Sequence, residues 1–61
     1  MYQDNLSDLI TVDELCELLF IWKNAAYRLL NAGEVKAFRI GRVWKILRES
    51  AHEYVRRKSR L

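Results

Sequence analysis

Apolar positions recur at two different periods along the 61-residue chain, and the points where the period changes divide it into elements. Val12, Leu15, Cys16 and Leu19 fall on one face at helical spacing. The stretch Thr11-Val12-Asp13-Glu14 that opens this pattern has the form of a capping box, in which hydroxyl and carboxylate each accept from an orphan amide at a helix start. Asp13 and Glu14 also suit the positive end of a helix dipole. The spacing predicts a helix with its apolar stripe buried, and Cys16, lying on that stripe, is read as a small core residue rather than a reactive thiol. A second helical stretch runs from Lys23 to Ala32. It sets Ala26, Leu29 and Leu30 on one side and Lys23, Asn24, Tyr27, Arg28 and Asn31 largely on the other. Gly33 ends it, since glycine accepts the left-handed conformation that closes a last turn. Only Phe20-Ile21-Trp22 separates the two helices, and a link that short forces a steep crossing, as in a helix-turn-helix.

After Gly33 the period falls from 3.6 to 2. Phe38-Arg39-Ile40 and Trp44-Lys45-Ile46 alternate apolar and basic around Gly41-Arg42-Val43, which predicts a hairpin with a short loop. Pairing Ile40 with Trp44 puts Phe38, Ile40, Trp44 and Ile46 on one dry face and Arg39 with Lys45 on a basic one. A two-residue loop at Gly41-Arg42 would pair Ile40 with Val43 and set Trp44 beside Arg39. That mixes the faces and is disfavoured on register grounds. From Arg48 to about Arg57 helical spacing returns, with Ala51, Tyr54 and Val55 aligned and Leu47 extending the stripe; His52 lies off it and is expected to be exposed. Residues 1–10 have no clear period. Leu6, Leu9 and Ile10 read as a short lead-in packed on the body, with the first five residues expected to be mobile. The pattern as a whole predicts one domain over residues 1–61, mostly α with a small β-hairpin. In order it is a helix-turn-helix, a two-stranded wing and a C-terminal helix.

Composition narrows the function. With 51% hydrophobic and 31% charged residues, no proline and two glycines, the chain has a globular composition, although so short a domain has a small core. The net charge of +3 conceals a segregation. Residues 1–22 carry five acidic residues and no Lys or Arg, a net of −5; residues 23–61 carry all eleven basic residues against three Glu, a net of +8. An extended anion is the partner that such a half suits. At the C-terminal end, Arg56, Arg57, Lys58 and Arg60 also favour the helix dipole whatever the function. The single cysteine forms no disulfide within the chain, and no Cys/His cluster has zinc spacing. No base stands beside a nucleophile and no phosphate loop is present, so an enzyme is not expected and no cofactor is implied. Without a signal-like leader or a long apolar run, a soluble protein of the reducing cytoplasm is expected, with no membrane partner.

Three segments together resemble the excisionase-like DNA-binding domains, a subgroup of the winged helix-turn-helix proteins similar to the N-terminal domain of MerR-type regulators. They are Leu-Ile-Thr-Val-Asp-Glu-Leu (9–15), Ala-Tyr-Arg-Leu-Leu-Asn-Ala-Gly-Glu-Val (26–35) and Ala-Phe-Arg-Ile-Gly-Arg-Val-Trp-Lys-Ile (37–46). The resemblance implies a second helix in the major groove of double-stranded DNA and a wing on the adjacent minor groove or backbone. It also implies a bacterial phage or mobile-element protein that assists a partner integrase in excision, with further copies on adjacent sites. A small transcriptional regulator needs the same surface. Lys23, Asn24 and Arg28 are the residue types that pair with guanine or adenine edges. Tyr27 suits a phosphate or sugar, and Arg39, Arg42 and Lys45 suit phosphate or minor-groove contact. The chain departs from the family's usual residues at Trp22, where Gly or Ser is common, at Ala25 and at Leu47. Trp is a poor helix cap, and Phe20 beside Trp22 predicts an exposed apolar patch. A protein-interaction or antitoxin-like module using Phe20, Trp22 and the acidic first helix is the reading from another class.

Overall fold

The computed structural model describes residues 8–59. The elements are β1 (Leu9–Ile10), α1 (Val12–Leu19), α2 (Lys23–Asn31), β2 (Ala37–Ile40), β3 (Val43–Leu47) and α3 (Arg48–Lys58). Three helices and an antiparallel hairpin form a winged helix-turn-helix. The capping box is present in full: the Glu14 amide donates to Thr11 Oγ1 at 3.1 Å and the Thr11 amide to Glu14 Oε1 at 2.9 Å. At the end of α2, Gly33 takes a φ of +75°. Its amide donates to the Leu30 carbonyl, and the Glu34 amide reaches back to that of Leu29. This paired closure satisfies carbonyls that the helix leaves open and turns the chain toward the wing.

The lead-in does more than pack. Leu9 and Ile10 form a third strand, which a two-residue segment without a period cannot announce. β3 lies in the middle of the sheet, with Leu9 opposite Leu47 and Ile10 opposite Ile46 on one side and β2 on the other, all antiparallel. Leu6 and the first five residues lie outside the described residues. Among the described residues the core consists of Ile10, Leu15, Ala26, Leu30, Val35, Ile46 and Ala51: one or two side chains from each helix, two from the sheet, and Val35 from the link between α2 and β2. The fully buried alanines at positions 26 and 51 suit the close packing of α2 and of α3 on α1, and Cys16 packs at the margin with Val12 and Leu19.

The register of the wing corrects the reading from alternation. Ile40 pairs with Val43, Arg39 with Trp44, Phe38 with Lys45 and Ala37 with Ile46, so the loop is the two residues Gly41 and Arg42. Gly41 has a φ of +63° and Arg42 has no positive φ, which places glycine at the first central position, as two-residue hairpin turns of the II′ type require. Such a turn matches the twist of the strands, and the small Ala37, not Phe38, fits against the packed Ile46. The inner face therefore carries Ala37, Arg39, Trp44 and Ile46, while Phe38, Ile40, Val43 and Lys45 face outward. Arg39 on the inner face is accommodated by stacking: its guanidinium carbon lies 5.4 Å from the Trp44 ring centroid. Leu47 and Val55 are likewise more exposed than their stripe predicted, and His52 is half-buried rather than exposed.

The turn between α1 and α2 is held by Ile21, whose amide donates to the Cys16 carbonyl at 3.0 Å and whose side chain packs on the core, while the residues on either side of it are exposed. Phe20 caps α1 at φ 57°, ψ 50°, the left-handed region, with its ring 94% exposed. Trp22 occupies the N-cap of α2 with no side-chain hydrogen bond and is 84% exposed. The apolar patch expected there is present. A bulky residue in the left-handed region costs about 1–2 kcal/mol, part of which glycine would return as chain entropy. Phe20→Gly is expected to raise stability by about 0.5–1 kcal/mol, and Trp22→Ser by about 0.5–1 kcal/mol through the restored cap. Urea denaturation of each variant checks this; a lower midpoint for either would mean that its ring is held by a neighbour.

Candidate nucleic-acid interface

Helical spacing sorts the polar side of α2 into two strips. Asn24, Arg28 and Asn31 lie opposite the buried Ala26 and Leu30, and Lys23 and Tyr27 lie one turn apart on the flank. That flank meets the wing. A cleft of about 250 Å³ is lined by Lys23 and Tyr27 from α2, Arg42, Val43 and Trp44 from the wing, and the first residues of α1. The fold thus gathers Lys23, Tyr27 and Arg42, up to nineteen residues apart in sequence, around one opening. Arg39 stands at its edge through its stack on Trp44.

Other expected site residues lie elsewhere. Arg28 borders a separate groove of about 550 Å³ between α2 and the C-terminal half of α3, beside Leu29, Tyr54 and Lys58. Asn24 turns its side-chain oxygen back to the Ala25 amide at 2.8 Å. Lys45 faces away from the cleft, opposite Phe38, so it does not share a basic face with Arg39 as the other register would have had it. On α3, Arg56 pairs with Glu49 at 3.4 Å and Arg57 with Glu34 at 3.5 Å. Arg57 and Lys58 also lie over the Tyr54 ring. These contacts give part of the C-terminal basic cluster structural partners; Arg60 lies outside the described residues. Among the described residues no group of His, Cys, Asp and Glu could hold a metal ion, and no helix is long and apolar enough to cross a membrane.

Two residues of the cleft escaped the sequence reading. Asp13 was read only as a partner of the α1 dipole, yet its carboxylate lies 3.3 Å from Lys23 Nζ. The hydrogen bond that Lys23 donates to Asp13, and then the Asp13 charge, raise the Lys23 pKa above the ordinary lysine value. Trp44, expected on the dry face of the wing, packs half-buried against the core and also forms a wall of the cleft. The only signal for the first was an acid in the first turn of one helix and a base in the first turn of the next.

Residues 9–59 match the family model described as a helix-turn-helix domain. The chain belongs to the helix-turn-helix domain family. Two proteins from strains of Mycobacterium tuberculosis, each named as a candidate DNA-binding protein, are 33% identical to it over 51 residues. The matched segment covers 84% of this chain and 65% of theirs, so the helix-turn-helix chain spans a little under two thirds of the relatives it matches. No solved structure matches it significantly. Within this helix-turn-helix the element between the turn and Gly33 is α2, the second helix of the motif.

The Lys23–Asp13 pair gives a direct test of the cleft. Asp13→Asn removes the Asp13 charge and weakens the hydrogen bond that together are the largest causes of the raised pKa, so Lys23 is expected to titrate lower, toward an ordinary lysine, in an NMR titration of its Nζ. Because the folded value is the higher one, the pair contributes to stability fully below the unfolded pKa of about 10.4 and loses that contribution as pH rises through the folded value. The pair is exposed, and the melting temperature near neutral pH is expected to change little. An unchanged Lys23 titration would show that the pair does not persist in solution.

Proposed function

We propose that this protein binds double-stranded DNA, with α2 in the major groove and the wing tip on the adjacent backbone or minor groove, as an excisionase-like recombination directionality factor. The observation that carries the DNA reading is the convergence of Lys23 and Tyr27 from α2 with Arg42 from the wing on one cleft, within the half of the chain that carries a net +8. Only the major groove distinguishes all four base pairs, and its width admits an α-helix. Asn24 and Arg28, on the outward strip of α2, are then the base readers; Arg39 and Arg42 hold phosphate or a narrow minor groove; Tyr27 packs on sugar or phosphate. The family membership and the names of the two relatives agree with DNA as the partner. The excisionase role rests on the resemblance of the three segments quoted above. It carries the expectation of several copies on adjacent sites and of a partner integrase. A transcriptional regulator would use the same surface, and the two differ in whether an integrase gene lies beside this one. A location in the bacterial cytoplasm, on DNA, follows from the same reading.

Lys23, Arg28, Arg39 and Arg42 together predict a fall of log affinity with log salt of slope about −4, at about 0.9 per neutralised phosphate. A gel-shift series against DNA flanking the gene measures it, and a slope shallower than about −2 would mean that these cations face solvent. The two elements should also divide the labour. Arg28→Ala is expected to cost roughly 1–3 kcal/mol on the cognate site and much less on random DNA, whereas Arg42→Ala should weaken both by similar factors. Equal losses on both DNAs for Arg28→Ala would show that α2 is not the reader.

A further inference from the structure

The broadest apolar feature of the surface is the groove between α2 and α3. Its two walls are strips at helical spacing, Ala25, Arg28 and Leu29 from α2 and Tyr54, Val55 and Lys58 from α3. Leu18, Leu19 and Ile21 complete the lining with the exposed Phe20. The apolar surface continues past Phe20 and Ile21 to Trp22, so the two most exposed large apolar side chains among the described residues both belong to it. Its charges are all of one sign. Arg28 stands on one wall and Lys58 on the other, and no acid lines the groove. Among the described residues neither of these cations is in an ion pair, whereas Lys23, Arg56 and Arg57 each have a carboxylate. Lys58 lies only over the Tyr54 ring.

We propose that this groove docks an acidic amphipathic helix of a partner protein, with apolar anchors seated on Phe20, Leu29 and Val55 and carboxylates on Arg28 and Lys58. A helix laid in a groove needs an apolar trough for side chains one turn apart, and charges at the rim then select the partner. The partner's acids meet two cations here that need not first leave another carboxylate. A second copy docked through the same groove about a twofold axis would instead set Arg28 and Lys58 against their own equivalents. The exposed acids of α1, Asp13, Glu14 and Glu17, lie on a helix whose apolar stripe is already turned to the core, so α1 does not supply acids and anchors together. A flat bilayer would meet the rings at the corner and leave a concave groove of about 550 Å³ unfilled. The proposal does not rest on the DNA reading, because the groove lies on the other flank of α2 from Lys23 and Tyr27.

The experiment is an NMR titration of the full chain with two synthetic peptides of about 15 residues, long enough to form a helix on binding. Both carry leucine at i, i+3, i+4 and i+7; one has glutamate at the flanking positions and the other lysine. The glutamate peptide is expected to shift the amide signals of Phe20, Leu29 and Val55 and to bind about fivefold more tightly than the lysine peptide, the size of a pair of exposed ionic contacts. Lys58 and Phe20 are varied rather than Arg28, which the DNA reading uses. Lys58→Glu should erase the preference between the peptides. Phe20→Gly, expected to be at least as stable as the parent, should weaken the glutamate peptide about tenfold, as loss of an aromatic anchor does. Equal binding of the two peptides to the parent would overturn the acidic class of partner. Shifts confined to Lys23, Tyr27 and Arg42 would overturn the groove by placing the carboxylates on the cleft beside the wing. Binding of neither peptide would overturn the proposal altogether. Concentration-dependent shifts at Phe20 and Val55 without peptide would then assign the groove to a second copy, and shifts there with vesicles of anionic phospholipid would assign it to a bilayer.

Discussion

Ile46 is the residue on which the rest of the arrangement depends. It is fully buried on the central strand, with Ile10 opposite it on one side and Ala37 on the other. Because side chains on a strand alternate, fixing Ile46 inward fixes Trp44 inward too and sends Val43, Lys45 and Leu47 out. The same register decides which residues of β2 face the helices, how long the wing loop is, and where Arg42 stands relative to α2. With seven buried core residues among the described ones, the domain has little else to hold its wing in place.

From that anchor the architecture of the candidate interface follows. The wing is tied at its base, where the Leu47 amide donates to the Lys36 carbonyl and the Lys36 amide to Ser50 Oγ. Its tip, built on the positive φ of Gly41, carries no core residue. A rigid base and an unburdened tip let Arg42 stand over α2 while its charge stays in solvent. The arrangement leaves apolar side chains outside. Phe38, Ile40 and Val43 on the outer wing face, and Phe20 and Trp22 at the corner, are exposed because the core is too small to take them.

Much of this was legible in the chain. The capping box at Thr11, the left-handed stop at Gly33 and the three-residue link each rest on local backbone chemistry, and local chemistry is written in neighbouring residues. Arg28 on the outward strip of α2 follows from a period of 3.6 alone. The wing failed the same treatment for a definite reason. Alternation says that Phe38 and Ile40 share a face and that Trp44 and Ile46 share a face, but it does not say that the two faces are the same one. A clean separation of apolar from basic residues was the wrong arbiter, because Arg39 loses little by stacking on an indole and Ala37 suits the space beside Ile46 better than a phenyl ring.

The sequence by itself determined the elements, the turn between α1 and α2, and the segregation of charge that leaves the second half strongly basic. Each is a property of residues within a few positions of one another, or of simple sums over them. Tertiary structure alone decided the third strand, the wing register, the pairing of Asp13 with Lys23 and the meeting of Lys23 and Tyr27 with Arg42. The wing register joins residues three to nine apart and the other features join residues ten or more apart; in each the mutual fit depends on volume and on available backbone partners, and neither leaves a period in the chain.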